Sequence, residues 1–227
     1  MIVANPIQDL GLGTLADNAT QFRRAVQSEE PGIFADIYQE ETNIAIWRRE
    51  LSATLQDSVK DFLAANPRFE TAMTTTPQRA LSNVSESLGV TTELSENIAE
   101  LVDMFCYLFE LKRAGLRLTA LNRAMCPRFH VDRVPCRLVT TYQGAATEWL
   151  PHDTVDRTKL GLGSNGLPDN ESGIYQNEQD IQQLNSGDVA LLKGEAWRGN
   201  ENAGLVHRSP APANGDYRLL LTLDFSN

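Results

Sequence analysis

The sequence predicts an α+β fold in which helices come first along the chain and a jelly roll of short strands follows. Before residue 115, apolar residues recur at helical spacing in three segments. After that residue, β-like segments are separated by Gly, Pro and Asn, and no long helix-period run remains. We therefore expect residues 1–114 to form a mainly helical portion that packs on a double-stranded β-helix core of residues 115–227. The two portions are expected to form one compact unit.

The three predicted helices are recognised by their ends as well as by their apolar stripes. The first should end at Asn66, because a proline follows it. The second should begin after Thr76, with a proline at its first position, and end at Gly89. The third, within TELSENIAELVDMFCYLFELKRAG, has acids in its first turn and should run towards Gly115. Two β-like pieces, NIAIW and RFETAM, lie between the helices.

Five strand candidates follow in the second half of the chain: LRLTALNRA, CRLVTTYQG, DIQQLNSGDVALLKG, GLVHRS and YRLLLTLDF. Between them, residues 158–178 are rich in Gly, Asn and Ser, so we expect a long loop and a candidate lid. This loop contains a Gly-x-Gly-x-x-Gly at Gly161, Gly163 and Gly166. A dinucleotide site needs a helix to open after such a motif, and LPDNES opens none, so we do not interpret it as a cofactor loop.

Composition excludes several classes of function. The net charge is −10, which disfavours binding to a nucleic-acid backbone. The first residues show no basic region followed by an apolar run, and no segment is apolar over the ~20 residues of a membrane helix, so neither a secretory signal nor a membrane span is expected. Three cysteines without a Cys-x-x-Cys suit a reducing compartment, so a cytoplasmic location is expected.

The segment CPRFHVDRVPCR contains the first candidate metal ligands, His130 and Asp132. Residues two apart on a strand face the same way, so both side chains can point to one side. His207, on a later strand candidate, can supply a third ligand. Two imidazoles and one carboxylate on one face of a metal leave positions open for substrate and O₂, which is the arrangement of non-haem Fe(II) sites.

Two other arrangements of this segment stay open. Cys126 and Cys136 could join His130 and Asp132 in a closed zinc site, because zinc accepts thiolate, imidazole and carboxylate. Against this, prolines interrupt the segment, and the spacing between the cysteines exceeds that of a zinc knuckle. His152, in a loop after a strand, could also approach the site, although a solvated loop histidine explains it equally simply.

Arg218 lies eleven residues beyond His207, at the start of the last strand candidate. Its planar guanidinium can bind a carboxylate through two hydrogen bonds, so it suits an acidic co-substrate near the metal.

The motifs FHVDRVP, GDVALLKG and GLVHRSPAPANGDYRLLLTLDF together resemble the Fe(II)/2-oxoglutarate-dependent dioxygenases. The resemblance covers about residues 115–227 and implies a double-stranded β-helix core. It implies that His130, Asp132 and His207 bind iron, and that Arg218 binds the distal carboxylate of 2-oxoglutarate. The whole chain, through CPRFHVDRVPCRLVTTYQGAATEWLP, also resembles a bacterial family known as domain of unknown function 1826, whose name implies no activity.

One position departs from the dioxygenase pattern. Some members of that superfamily have a serine two residues after the arginine, where its hydroxyl helps to bind the co-substrate. Here that position is Leu220. The nearest hydroxyl on the same face of the strand is that of Thr222, and Tyr142 and Thr140 on an earlier strand are further candidates.

The sequence thus favours an Fe(II)- and 2-oxoglutarate-dependent oxygenase that acts on a small molecule or a peptide. The alternative is a jelly-roll protein that binds zinc or another divalent metal without redox chemistry. A jelly roll whose site has lost its activity is a third interpretation.

Overall fold

A computed structural model describes residues 22–90, 92–213 and 216–226. The strands, in chain order, are β1 Arg24–Ser28, β2 Thr42–Trp47, β3 Glu70–Thr75, β4 Ala114–Leu121, β5 Cys136–Gln143, β6 Glu148–Leu150, β7 Gln182–Gln183, β8 Val189–Lys193, β9 Val206–Arg208 and β10 Arg218–Phe225. The helices are α1 Ala53–Ala65, α2 Pro77–Leu88, α3 Glu93–Leu108 and α4 Asp169–Ser172. The described residues also include several 3₁₀ segments, the longest of which is Pro31–Tyr38.

The first two helices end where the sequence predicts. Ser52 caps α1 by accepting a hydrogen bond from the amide of Leu55, and Asn66 ends the helix. Gly89 ends α2 in the left-handed region, with a φ of 79°.

The third helix is shorter than predicted. It ends at Leu108, and Glu110 adopts a positive φ of 53°. The amide of Leu111 then donates to the carbonyl of Cys106 at 2.8 Å, which closes a Schellman-type end. Glycine usually occupies the left-handed position of this motif, so the glutamate there gave no signal, and β4 begins only a few residues later.

The strands form two sheets. The larger sheet has the order β1-β2-β8-β5-β10-β4-β3, and the smaller has the order β7-β6-β9. Neighbouring strands are antiparallel except for the parallel pair β1 and β2. An isolated bridge between His130 and His207 extends the smaller sheet beyond β9.

The path of the chain between the sheets defines the fold. From β4 onwards it passes from the large sheet to His130 at the edge of the small one, then to β5 in the large sheet. It continues to β6 and β7 in the small sheet, β8 in the large, β9 in the small and β10 in the large. This alternation is the double-stranded β-helix, or jelly roll. The predicted α+β fold with a jelly-roll core is confirmed.

Three apolar clusters hold these layers together. The largest lies between the large sheet and the helices, and includes Phe105 of α3 and Leu221 of β10. A second fills the space between the two sheets, and includes Val139 and Trp149. A third lies on the outer side of the small sheet, under residues 151–181, and includes Phe129. The small sheet is thus covered on both faces, which suits its very short strands.

The portion before residue 115 contributes more than helices. Strands β2 and β3 correspond to the predicted β-like pieces, while β1 had no clear signal in the sequence. All three extend the large sheet. Residues 1–21 of the predicted N-terminal portion lie outside the described residues.

Residues 158–178 form a loop that contains short 3₁₀ turns and the single helical turn α4. Gly161 and Gly163 lie in one of these 3₁₀ turns, and α4 is too short to offer the helix N-terminus that a dinucleotide site needs. Within the described residues, no helix has both the length and the apolar character required to cross a lipid bilayer.

Candidate metal centre

The structure brings His130, Asp132 and His207 together. Each offers one ligand atom, and these atoms all lie within 4.8 Å of one another. The Nε2 atom of His207 is 3.5 Å from Asp132 Oδ2, and that of His130 is 4.0 Å from Asp132 Oδ1. These separations are too long for good hydrogen bonds. The three groups therefore converge on a common point without satisfying one another, and this donor set fits a divalent metal.

Backbone carbonyls orient both imidazoles. The Nδ1 atom of His130 is 2.9 Å from the carbonyl oxygen of Arg128, and that of His207 is 3.1 Å from the carbonyl oxygen of Leu205. When Nδ1 carries the proton and donates to a carbonyl, Nε2 keeps a free lone pair. Both histidines thus present Nε2 as the ligand atom, on the side where Asp132 lies. The pairing of His130 with His207 through both backbone hydrogen bonds, each 3.0 Å, fixes their separation.

His207 is held in the protonation state that binds metal. Burial lowers its pKa to about 4, and the nearby His130 acts in the same direction, while Asp132 opposes them. The imidazole is therefore neutral at neutral pH, and a neutral imidazole is the form that coordinates metal ions.

The carboxylate of Asp132 is held by an arginine from the large sheet. Arg137 Nη1 donates to Asp132 Oδ2 at 2.8 Å, and the same guanidinium binds both oxygens of Asp224 at 2.8 and 2.9 Å. Arg137 and Asp224 are directly opposite each other on β5 and β10. This arrangement ties the loop that carries Asp132 to the two central strands of the large sheet.

Close backbone packing also fixes this loop. A Cβ atom at Gly194 would lie 2.1 Å from the carbonyl oxygen of Val134 and 2.8 Å from that of Asp132. Only glycine leaves room for the chain to approach so closely.

Arg218 places a positive charge in the interior of the jelly roll. Its side chain is fully buried, and burial lowers its pKa to about 10, so it stays charged at neutral pH. Its Nη1 donates to Ser209 Oγ, Nη2 is 3.4 Å from Thr141 Oγ1, and Nε has no partner. None of the ion pairs found in the described part of the chain includes Arg218. Glu148, whose charge acts on it, is paired with Arg208 at 2.6 Å instead.

A buried arginine without a carboxylate partner is costly, because the desolvation of the charge is uncompensated. Two acids near Arg218 in the sequence, Asp216 and Asp224, do not pair with it. Asp224 is bound by Arg137, and Asp216 forms no ion pair with Arg218. The guanidinium is therefore arranged to receive an anion.

Gly144 makes room for the Arg218 side chain. It has a φ of 88°, and a Cβ atom there would lie 2.7 Å from the carbonyl oxygen of Tyr217 and 2.9 Å from Arg218 Cγ. The sequence shows only a glycine after a strand, which is common, so this role had no distinct signal.

The other two residues predicted to bind the co-substrate, Thr222 and Tyr142, lie on opposite faces of the large sheet. Thr222 shares a face with Arg218 and lies opposite Val139. Tyr142 points instead towards the helices, where its hydroxyl donates to Asn97 Oδ1 at 3.0 Å. Thr140 is buried on that same side of β5. Strand β5 instead places Thr141 beside Arg218, and neither Thr141 nor Ser209 had a signal in the sequence.

The cysteines and His152 do not join the cluster. Cys136 is buried in the apolar layer beneath the helices, where burial raises the pKa of its thiol, and Cys126 is exposed. The ligand set found among the described residues contains neither. His152 lies in a 3₁₀ turn, 3.4 Å from Arg157 Nη2, and burial and that positive charge lower its pKa. The structure thus gives no support to the closed thiolate-zinc arrangement.

Comparisons with solved structures place the chain among similar shapes at low identity. It is similar to the 2-oxoglutarate complex of dioxygenase for auxin oxidation 1 from Arabidopsis thaliana, with 9% identity, a TM-score of 0.47, and coverage of 89% of this chain and 92% of that one. It is similar to a Pseudomonas putida prolyl-4-hydroxylase, with 12% identity, a TM-score of 0.42, and coverage of 86% and 97%. For EvdO2 from Micromonospora carbonacea var. aurantiaca complexed with 2-oxoglutarate, the values are 9%, 0.46, 89% and 93%. At these scores the likeness says nothing about the chemistry of this chain.

No curated protein matches the sequence. A family model, described as protein of unknown function (DUF1826), matches residues 28–224. This match includes the predicted metal ligands, Arg218 and almost all of both sheets. The chain belongs to the DUF1826 family.

Proposed function

We propose that this protein is an Fe(II)- and 2-oxoglutarate-dependent oxygenase of the hydroxylase type. The metal ligands are His130, Asp132 and His207, and Arg218 binds the distal carboxylate of 2-oxoglutarate. The observation that carries the proposal is the buried, unpaired guanidinium of Arg218 beside a His-Asp-His cluster.

The position of Arg218 relative to the cluster supports a co-substrate with two acidic ends. Its Nη1 contacts Ser209, which lies two residues beyond His207 on the same stretch of chain. A dicarboxylate that chelates the metal through one end can therefore present its other end to Arg218. The hydroxyl groups of Ser209 and Thr141 both contact the guanidinium of Arg218, so they can donate hydrogen bonds to the same carboxylate. They take the place of the hydroxyl that Leu220 lacks.

When bound, iron would supply the oxidation of a substrate C–H bond, coupled to the decarboxylation of 2-oxoglutarate to succinate. The residues of the chain position the reactants. His207 is neutral and aims Nε2 at the metal position, Asp132 supplies a negative charge there, and Arg137 keeps that carboxylate in place. Arg218 orients the co-substrate. The apolar cluster between the sheets, which includes Trp149 and Leu205, keeps water away from one side of the site.

The second candidate is a protein that binds zinc or another divalent metal without redox chemistry, since the same donor atoms also bind zinc. Such a protein would have no use for a buried cation that lacks a partner. Arg218 therefore separates the two candidates.

The test is to load the purified protein with Fe(II) without oxygen, add 2-oxoglutarate and then air, and measure succinate. We expect succinate even without a primary substrate, through slow uncoupled turnover. Replacement of Arg218 by Gln should abolish succinate and weaken 2-oxoglutarate binding by about tenfold or more, because a charge-assisted pair is lost. Metal content should stay unchanged.

Replacement of Arg79, an exposed arginine on α2, by Gln is the matched control and should change neither quantity. If the iron-loaded protein forms no succinate and calorimetry detects no 2-oxoglutarate binding, the oxygenase proposal is wrong and the non-redox alternative takes its place. Equal loss of metal and co-substrate in Arg218→Gln would show a purely structural role for Arg218.

A further inference from the structure

One flank of the large sheet is left uncovered by the small sheet. The apolar cluster between the sheets draws on β2, β5 and β8 but on neither β3 nor β4. On these two outer strands the inward face carries exposed residues, among them Ala72 and Arg117, which pair directly across the strands. We name this surface the flank groove, defined by Ala72, Thr74, Arg117, Thr119 and Asp224.

Two adjoining cavities lie in the flank groove. The smaller has a volume of about 160 Å³ and the larger about 410 Å³. Arg117 and Asp224 line both cavities, which makes them neighbours. Arg137 also lines the smaller cavity, and its guanidinium binds the metal-ligand carboxylate of Asp132. The groove therefore reaches Arg137, the residue that holds one of the metal ligands.

Arg117 is the exposed cation of the groove, and its guanidinium is not tied to a neighbouring side chain of the described chain. Both oxygens of Asp224 accept hydrogen bonds from Arg137 rather than from Arg117. Among the residues that the structure describes, Arg117 forms no side-chain hydrogen bond and no ion pair, either with Glu70 on β3 or with Asp224 on β10.

A buried hydroxyl in the smaller cavity also lacks a partner. Thr119 is only 5% exposed, and its Oγ1 atom forms no hydrogen bond within the described chain. It lies two residues beyond Arg117 on β4, on the same face, and lines the cavity that reaches Arg137. An unpaired buried hydroxyl costs free energy unless a ligand or water binds it. The groove thus offers a charged donor at its mouth and a neutral polar group deeper inside.

We propose that the flank groove binds the primary substrate, and that this substrate is a small organic anion, a carboxylate or a phosphate ester. Arg117 binds the anionic group, Thr119 binds a polar atom further along, and the far end of the molecule reaches the metal centre beside Arg137. The inference rests on the proposed function only in taking the metal centre as the place of reaction. The anion site itself depends on the groove alone.

The experiment measures binding without turnover. Zinc-loaded protein is dialysed against a defined mixture in which each short carboxylic acid accompanies its primary amide, and each phosphate monoester accompanies its parent alcohol. Saturating 2-oxoglutarate is present throughout, so that it occupies the site at Arg218. Mass spectrometry then gives the retained fraction of each compound. We expect one or more anions to be retained over their uncharged counterparts.

Replacement of Arg117 by Gln should lower that retention by about tenfold, because a hydrogen-bonded charge pair is lost, and Arg117→Lys should restore part of it. Thr119→Val should weaken retention less, while Arg79→Gln should leave it unchanged. Metal content and 2-oxoglutarate affinity should be the same in all four variants, which shows that they remain folded. If no anion is preferred, or if Arg117→Gln retains anions as well as the unmodified protein does, the inference is overturned.

A further variant separates this result from the fate of the proposed function. If retention is lost in Arg218→Gln but not in Arg117→Gln, the anions bind the co-substrate site, and the flank groove is not the substrate site. If 2-oxoglutarate itself does not bind, the proposed function fails, but retention that depends on Arg117 would still identify the groove as an anion site.

Discussion

The two sheets differ in how they are stabilised, although both contribute to the metal centre. The large sheet has strands as long as β4, β5 and β10, with eight residues each, and one of its faces packs against the helices. The small sheet has strands of two or three residues, too short to hold together through backbone hydrogen bonds alone. Yet it carries His207 and, through an isolated bridge, His130. The ligands therefore lie where the backbone is least able to position them.

Side chains from residues 151–181 supply what the short strands lack. Asp169 Oδ2 accepts hydrogen bonds from the amide of Phe129 at 3.0 Å and from Arg208 Nη1 at 2.9 Å. Phe129 and Arg208 directly adjoin the two metal-binding histidines in sequence. Arg208 also binds Glu148 on β6, and its guanidinium lies 4.3 Å from the centre of the Phe129 ring. These contacts clamp both histidine-bearing segments from outside.

Residues 158–178 belong to this clamp. The sequence suggested a lid, but Asp169 and the carbonyl of Gly166, which accepts from Arg128 Nη2 at 2.8 Å, fasten this segment to the metal motif. We infer that it supports the metal ligands rather than opening freely over them.

The largest expected effect therefore comes from removing the clamp. Replacement of Asp169 by Ala should lower the affinity for Co(II) or Zn(II) by about 10- to 100-fold, because groups that orient metal ligands typically contribute this much. The large sheet should remain intact. Metal affinity is measured by competition with a chromophoric chelator, and the fold is checked by circular dichroism.

Glu171 provides the matched control, since it is an exposed acid in the same helical turn. Its replacement by Ala should leave metal affinity unchanged. If Asp169→Ala binds metal as tightly as the unmodified protein, the small sheet positions its histidines without the clamp, and the contrast between the sheets loses its functional meaning.

The same contrast explains what the sequence could predict. The long strands and the first two helices have regular apolar patterns and recognisable ends, so their positions were predicted well. The short strands of the small sheet were visible only as parts of longer β-like segments. The end of helix α3 had no signal in the sequence, because Glu110 adopts the left-handed conformation that glycine usually adopts at a helix end. Tertiary contacts determine the bounds of these short strands and of helix α3, and a local sequence pattern does not show such contacts.

For the site, the ordered set of His130, Asp132, His207 and Arg218 could be predicted because their chemistry is specific. The supporting groups could not. Tyr142 was proposed where Thr141 contacts Arg218, an error of one residue that places the side chain on the opposite face of the strand. An irregularity in the pairing of β10 with β5 at this point hides the correct register from any alternating pattern.

On the large-sheet side of the site, Gly144 packs against Arg218. Replacement of Gly144 by Ala should destabilise the protein by about 1–2 kcal/mol, because alanine is strained at positive φ. The added Cβ should also displace Arg218 and weaken 2-oxoglutarate binding while metal affinity stays the same. Thermal unfolding and calorimetric titration give the two quantities. Replacement of the exposed Gly89, which has a similar φ of 79° but nothing within 4 Å of its Cβ position, is the control.

Gly89→Ala should show the backbone cost without any change in 2-oxoglutarate binding. If Gly144→Ala binds 2-oxoglutarate with unchanged affinity, a displaced Arg218 still binds the co-substrate. The long strands of the large sheet would then not be needed to fix the position of Arg218.

The smallest effect is expected from the cysteines that flank the metal motif. Cys126 is exposed, so Cys126→Ser should change stability by less than about 0.5 kcal/mol. Cys136 is buried beneath the helices, so Cys136→Ala should cost about 1 kcal/mol through lost packing. Neither should change the metal content, which is measured by mass spectrometry of the purified protein, whereas His130→Ala should abolish it. Loss of metal in Cys126→Ser would mean that this exposed thiol turns inward to complete a tetrahedral zinc site. The positions of the two histidines would then depend on that zinc site rather than on the contacts of Asp169.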